Sequence, residues 1–246
     1  MRHIFRTVCM ALVAILLCSE AIFVTQASAI SDIQRYSRQG AWAINDTCEE
    51  PTVGSVTLAG NDNTEKILNF FMRKGLNLAQ ASGIVGNMIQ ESNLQPNVVQ
   101  GGRLIAEDEE YSMQNSVGFG LVQWTFTARQ KPLQNHVDTL GVKNTDLGGQ
   151  LSYVWVELNG DFLSTLNNLR RTNDPVDAAI VVHGATNKTA SHPRFQALNL
   201  KIGEGYEASN DSPEDVIGVR GGAAQEIYDT YKDAAPLAGS SADTTM

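Results

Sequence analysis

Cysteine is scarce in this chain. Of three cysteines in 246 residues, Cys9 and Cys18 lie in an N-terminal leader, so Cys48 stands alone once that leader is removed. One thiol forms no intramolecular disulfide, and the fold must rest on a hydrophobic core. Cys48 also sits among Asp46, Glu49, Glu50 and Pro51, an acidic setting that disfavours a thiolate and argues against a cysteine nucleophile. Histidine is equally thin. His136, His183 and His192 show neither the i, i+4 spacing of a zinc-binding helix nor cysteine partners, so no metal site and no cofactor are expected. His183 and His192 fall in a polar, loop-like region and read as surface or hydrogen-bonding residues. The nucleophile elbow G-x-S-x-G, the P-loop and the dinucleotide fingerprint do not occur. Positive charge is short as well, with 18 Lys and Arg against 27 Asp and Glu for a net charge of −9. That balance argues against nucleic acid and against an anionic membrane surface as partners.

What is present begins with a processing signal. Arg2, His3 and Arg6 form a basic n-region, Val8 to Leu17 an apolar h-region, and Ala27-Ser28-Ala29 a small-residue cleavage site. The apolar run is short and interrupted by Ser19 and Glu20, which suits cleavage better than a retained transmembrane helix. Leu17 is too bulky for Cys18 to read as a lipoprotein cysteine. Removing 29 residues from 246 leaves 217, enough for one core. The leader carries Arg2 and Arg6 against Glu20, so its loss takes the net charge from −9 to about −10. The expected organisation is a signal peptide at 1–29, a poorly structured arm at 30–60, a folded domain at 61–234 and a flexible tail at 235–246. The product is expected to be secreted, extracellular or associated with a cell wall, as a monomer without stable membrane insertion.

Within the body, helical signals dominate. Asp62 and Glu65 have capping-box spacing before Ile67, Leu68, Phe70 and Phe71, and that helix stops at Gly75. Asn77 and Gln80 repeat the device before Leu78, Ala81, Ile84, Val85, Met88 and Ile89, which keep a 3.6-residue period. Gly83 and Gly86 weaken this second helix locally, so they predict close packing against a neighbour. The period disappears from Asn93 to Gly118, where Pro96, Gly101, Gly102 and the run Glu107-Asp108-Glu109-Glu110 predict an irregular segment or short β-hairpin. Helices return with Thr127 and Gln130 as a capping pair for one that ends at Gly141, and with Asp146 as the cap of another. A further helix carries Phe162, Leu166 and Leu169. Asp174-Pro175 opens one over Val176 to Val182. Residues 184–221 read as loop, and Ala223 to Tyr231 as a last helix. The fold class is therefore mostly α (α+β), a helical domain with a small β insert.

Two blocks carry chemistry. Ile84, Met88 and Glu91 fall at i, i+4 and i+7, so Glu91 continues the apolar stripe and faces inward or into a cleft. Desolvation, the negative end of the helix dipole and the acidic run that follows favour its neutral form, the state a glycosidic general acid needs. A frayed terminal Glu is the plainer alternative. The second block is Gly118-Phe119-Gly120-Leu121-Val122-Gln123-Trp124-Thr125. Its glycines suit a close approach of backbone to ligand, Gln123 supplies an amide, and Trp124 offers a face for a pyranose ring. Trp124 as plain core is the competing view.

Together these blocks resemble the phage-tail-type lysozyme domain, a branch of the lysozyme-like superfamily, from Asn61 to about Tyr231. The resemblance lies in the Gly-x-x-Gly-Asn helix ending in Glu91-Ser92, then Asn93-Leu94-Gln95-Pro96-Asn97, and in the Gly118 to Thr125 block with Arg129 after it. Gln150 to Leu158 and Tyr206-Glu207-Ala208 are weaker parts of the same likeness. It implies a lysozyme-like fold, glycan strands of peptidoglycan as partner, and cleavage of the β-1,4 bond between N-acetylmuramic acid and N-acetylglucosamine. Glu91 then maps to the catalytic acid, and Ser92, Tyr111, Gln123, Trp124 and Thr125 to substrate binding. Residues 183–203, with His183, Asn187, His192 and Arg194, look like an extra loop. A second carboxylate would stand about 5–5.5 Å from the acid in a retaining hydrolase and about 6.5–9.5 Å in an inverting one, whereas a lytic transglycosylase needs none. Glu107, Asp108, Glu109 and Glu110 are the candidates. A non-catalytic wall-binding or adhesion module with the same groove is the rival expectation.

Overall fold

Asp62 opens the first helix by accepting a hydrogen bond from the Glu65 amide at 2.9 Å, which satisfies one of the donors a helix start leaves without a partner. In the computed structural model, residues 56–234 are described apart from 107, 108, 115 and 208. The leader, Cys48 and the tail lie outside the described residues. Helix α1 (Asn63–Arg73) is followed by α2 (Leu78–Ser92), a two-stranded hairpin of β1 (Val98–Val99) and β2 (Arg103–Leu104), then α3 (Thr127–Leu140), α4 (Leu147–Asn159), α5 (Leu163–Leu169) and α6 (Pro175–His183). Short helices α7 (Pro193–Ala197) and α8 (Pro213–Asp215) follow. The latter runs through a π-helical turn, Val216–Gly221, into α9 (Gly222–Tyr231). Among the described residues the architecture is mostly α with one small antiparallel hairpin, pairing Val98 with Leu104 and Val99 with Arg103.

Helix α2 is the central element. Asn77 and Gln80 form a complete capping box at its start, and α1, α6 and α9 pack around it. Its residues from Ala79 to Met88 are all buried, and each large apolar side chain among them contributes about 1.5–3 kcal/mol. The two internal glycines make this packing possible. A Cβ on Gly83 would lie 2.5 Å from that of Ala178 on α6, and one on Gly86 would lie 2.5 Å from the Arg220 carbonyl in the π turn. Asn93 ends α2 in a left-handed conformation, φ 49 and ψ 37, which asparagine tolerates.

Three expectations need correction. Val56 and Leu58, assigned to the arm, pack against the core. The predicted capping pair of α3 is not used: Phe126 is the N-cap, without a side-chain cap, and the Gln130 amide donates instead to the carbonyls of Val117 and Trp124. Residues 184–221 are more than loop, since Pro193 and Pro213 each start a helix. Both are proline at a first helical position behind a polar cap, His192 and Ser212. Within 183–203, Arg194 bonds Asp177 and Asp174 at 2.7 Å each, pinning this segment to the start of α6.

Candidate active site

Glu91 sits on the last turn of α2 with its side chain 19% exposed, and its Oε1 accepts from Arg220 Nη2 at 2.7 Å. The position between core and solvent follows from the stripe. The partner does not, because Arg220 arrives from the π turn, 129 positions along the chain. Its side chain is only 4% exposed. It also reaches Asp211 Oδ2 at 3.0 Å and Asn87 Oδ1 at 3.4 Å. Burial alone would depress the guanidinium, but Glu91 and Asp211 outweigh that and hold it firmly charged. Burial likewise works against the Asp211 anion, yet hydrogen bonds from Ser209 and Arg220 bring its pKa below the usual carboxylate range.

His183, fully buried at the end of α6, closes one side of this cluster. Its Nδ1 donates to the Gly184 carbonyl at 2.8 Å, and Nε2 lies 3.0 Å from Ser209 Oγ. Burial pushes its pKa down, so it enters the network as a neutral ring. The sequence reading placed it in a polar loop. It is a hydrogen-bonding residue of the interior.

The other side is built around Glu157 on α4, whose carboxylate accepts from Trp124 Nε1 at 2.8 Å and from the Tyr206 hydroxyl. Arg129 Nη2 stands 3.4 Å away and stacks over Phe162 and Tyr206. Burial, then the Glu157 charge, raise the Tyr206 hydroxyl well above its ordinary range. Between the two clusters lies Glu207. The residue touches the surface, but its Oε1 is shut off from solvent and has no hydrogen-bond partner. Burial, then the Glu91 charge, push its carboxyl up to about 8, against the pull of Arg129 and Arg220. Close backbone contact of Gly205 with Gly184 and His183 holds this segment on the end of α6. There the Val182 carbonyl accepts from the amides of Tyr206 and Glu207.

The expected substrate-binding residues divide. Trp124 is 0% exposed, so its ring offers no face to a sugar; it is core, with its one polar atom spent on Glu157. Tyr111 is buried and stacked on Phe119. Ser92 is buried, its Oγ 2.9 Å from the carbonyls of Met88 and Leu121, which ties the end of α2 to the Gly118–Thr125 block. Gln123 and Thr125 stay partly exposed and bond within their own turn. The glycines serve side chains rather than ligand: a Cβ on Gly118 would meet Gln123, and one on Gly120 would meet Gln150. Gln150 itself bonds Leu121, Pro96 and Asn144. Phe126 is the exposed aromatic here, 60% accessible, with φ 65 and ψ 145, a backbone region that is essentially glycine's.

Of the acidic run, Glu107 and Asp108 lie outside the described residues. Glu109 and Glu110 are exposed and attach toward α3 and α4, through Thr145 to the Glu109 carbonyl and Gln134 to the Glu110 carboxylate. The carboxyls that the structure brings toward Glu91 are Asp211, through the shared Arg220, and Glu207, whose titration the Glu91 charge affects. Arg220, Asp211 and Glu157 were missed as site residues. A single arginine among the glycines of Ile217 to Gly222 was the visible signal for the first.

A family model described as phage tail lysozyme matches residues 62–231. Among curated proteins, the chain is similar to Morphogenesis protein 1 of Bacillus phage B103, 32% identical over 108 residues. That match takes in 44% of this chain and 27% of the relative, so the chain spans about a quarter of that protein's length.

Proposed function

Since the chain belongs to the phage tail lysozyme family, we propose that it acts on peptidoglycan, as a glycosidase with Glu91 as general acid. The bond cleaved is the β-1,4 link between N-acetylmuramic acid and N-acetylglucosamine, by a muramidase or lytic transglycosylase route. The carrying observation is the environment of Glu91: partly exposed at a helix end, with Arg220 fixing one oxygen. Among the described residues nothing else hydrogen-bonds to that carboxyl, which leaves Oε2 for a substrate. Proton transfer from a group positioned in this way typically contributes roughly 10²–10⁴-fold to rate.

In this reading Arg220 is a positioning residue. It sets the carboxyl rotamer and supplies a positive charge next to the proton donor once the proton has left. Export through the N-terminal leader would bring the enzyme to the wall.

The test is turnover of purified cell wall by the wild type and Glu91→Gln. Equal release of muropeptides by the two rules out the assignment. Mass spectrometry of the products separates the routes, since anhydro-muramic ends mark transglycosylation and reducing ends mark hydrolysis. Wall binding by the wild type without any released muropeptide would indicate a binding module instead.

A further inference from the structure

Glu91 must carry a proton to act as an acid, and a cation 2.7 Å away works against that. Arg220 does not serve Glu91 alone. Its Nη2 also donates to Asp211 Oδ2 at 3.0 Å, and its Nε reaches the same oxygen at 3.2 Å. Glu91 Oε1 and Asp211 Oδ2 thus meet on one nitrogen, and both carboxyls are partly exposed. They do not share it equally. Asp211 Oδ2 accepts from two nitrogens of the guanidinium and from Ser209 Oγ at 2.7 Å. Glu91 accepts from Nη2 alone among the described residues. The guanidinium is buried, and its remaining nitrogen, Nη1, donates to Asn87 Oδ1 at 3.4 Å. That third anchor keeps it between the two carboxyls.

One positive charge against two carboxylates leaves one negative charge uncompensated. A proton on either carboxyl restores the balance, and it goes to the one whose anion has fewer donors. That carboxyl is Glu91. We propose that Asp211 is a positioning residue of this site, which takes the larger share of Arg220 and so lets Glu91 carry the proton for the glycosidic oxygen. The proposal rests on the assignment of Glu91 above. The surroundings agree with it. Burial works against the Asp211 anion, yet Ser209 and Arg220 bring its pKa below the usual carboxylate range. From α6, His183 Nε2 stands 3.6 Å from Asp211 Oδ2, and burial keeps that ring neutral. Glu207, whose titration the Glu91 charge affects, is acted on by Arg129 of α3 and Glu157 of α4 as well. An ionised carboxyl beside one that takes the proton is the division by which sites run acid chemistry near neutral pH.

Asp211→Asn keeps the shape and removes the competing anion. Arg220 then acts on Glu91 undivided, so Glu91 gives up its proton at lower pH. On purified cell wall, the alkaline limb of the kcat–pH profile is expected to move toward acid by about one pH unit. Above the limb kcat is then about tenfold down, the loss shrinks as pH falls, and KM is unchanged. Asp211→Glu keeps the charge and is expected to restore the limb. A loss of equal size at every pH, with the limb unmoved, would mean that Asp211 only braces the fold and would overturn the proposal. Should Asp211→Asn fail to fold, carbon-13 NMR titration of the wild-type carboxyls decides the matter. Glu91 taking up its proton at higher pH than Asp211 supports the proposal, and the reverse order overturns it. An inactive Glu91→Gln beside an Asp211→Asn with an unmoved limb refutes only the role of Asp211. An active Glu91→Gln refutes the underlying assignment.

Discussion

Arg220 Nη2 and Glu91 Oε1 lie 2.7 Å apart, joining two side chains 129 positions distant in the chain. The guanidinium is buried and shared with Asp211, so the two carboxylates depend on one cation. Arg220→Met leaves both without it; since both carboxylates are partly exposed, the expected cost is about 1–3 kcal/mol, read by urea denaturation. Arg220→Lys keeps the charge but not the fork. It is expected to recover much of the stability while cell-wall turnover stays at least about tenfold down. Full turnover in the lysine variant would show that the fork does not position Glu91.

The glycines of α2 make a second prediction. Gly86→Ala drives a Cβ toward the Arg220 carbonyl, and Gly83→Ala drives one into Ala178. Both should destabilise by about 1–3 kcal/mol through overpacking. Only Gly86→Ala displaces the π turn that carries Arg220, so it should also lower turnover at a temperature where both variants are folded. Equal turnover of the two at that temperature would separate the π turn from the chemistry.

Glu207 gives stability a pH dependence of definite sign. Its carboxyl titrates near 8 in the fold and at the ordinary carboxylate value, 4.5, when unfolded. Between those values the unfolded chain has released a proton that the fold retains. This group's stabilising contribution is complete below about 4.5 and declines as pH rises through about 8. Glu207→Gln lacks the decline. The Tm of the variant minus that of the wild type should therefore be larger by a few degrees at pH 8 than at pH 5, in calorimetry. A difference independent of pH would mean that Glu207 ionises normally in the fold.

Phe126 combines exposure with strain. Phe126→Gly suits φ 65 and ψ 145 and gives up little burial, so it should stabilise by about 1 kcal/mol. If that exposed aromatic next to the Gly118–Thr125 block is where a sugar ring stacks, binding suffers with its removal. The same variant is therefore expected to raise KM for glycan strands with kcat nearly unchanged. A more stable variant with wild-type KM would leave the strain without a role in binding.

Much of the fold was legible because helix boundaries are local. Asp62, Asn77, Asp146 and Asp174 each cap the helix that their spacing predicts. The stops at Gly75 and Gly141 follow from the left-handed backbone there. The segment after Gly184 was misread because its helices are short and lack a repeating apolar period. Site residues were less legible. Tryptophan and paired glycines look alike in sequence whether they meet a sugar or a buried glutamine and glutamate. Only neighbours brought from Gln150 and Glu157 tell these cases apart.

By itself, the sequence determined a mostly helical body, a carboxylate at the end of a buried helix and the family motifs around it. These depend on periodicity and caps within a few residues of one another. The tertiary structure alone decided what surrounds that carboxylate. Arg220, Asp211 and Glu207 reach it from a segment more than a hundred residues away. Electrostatics in a buried site is a sum over distances in space, and no spacing along the chain encodes it.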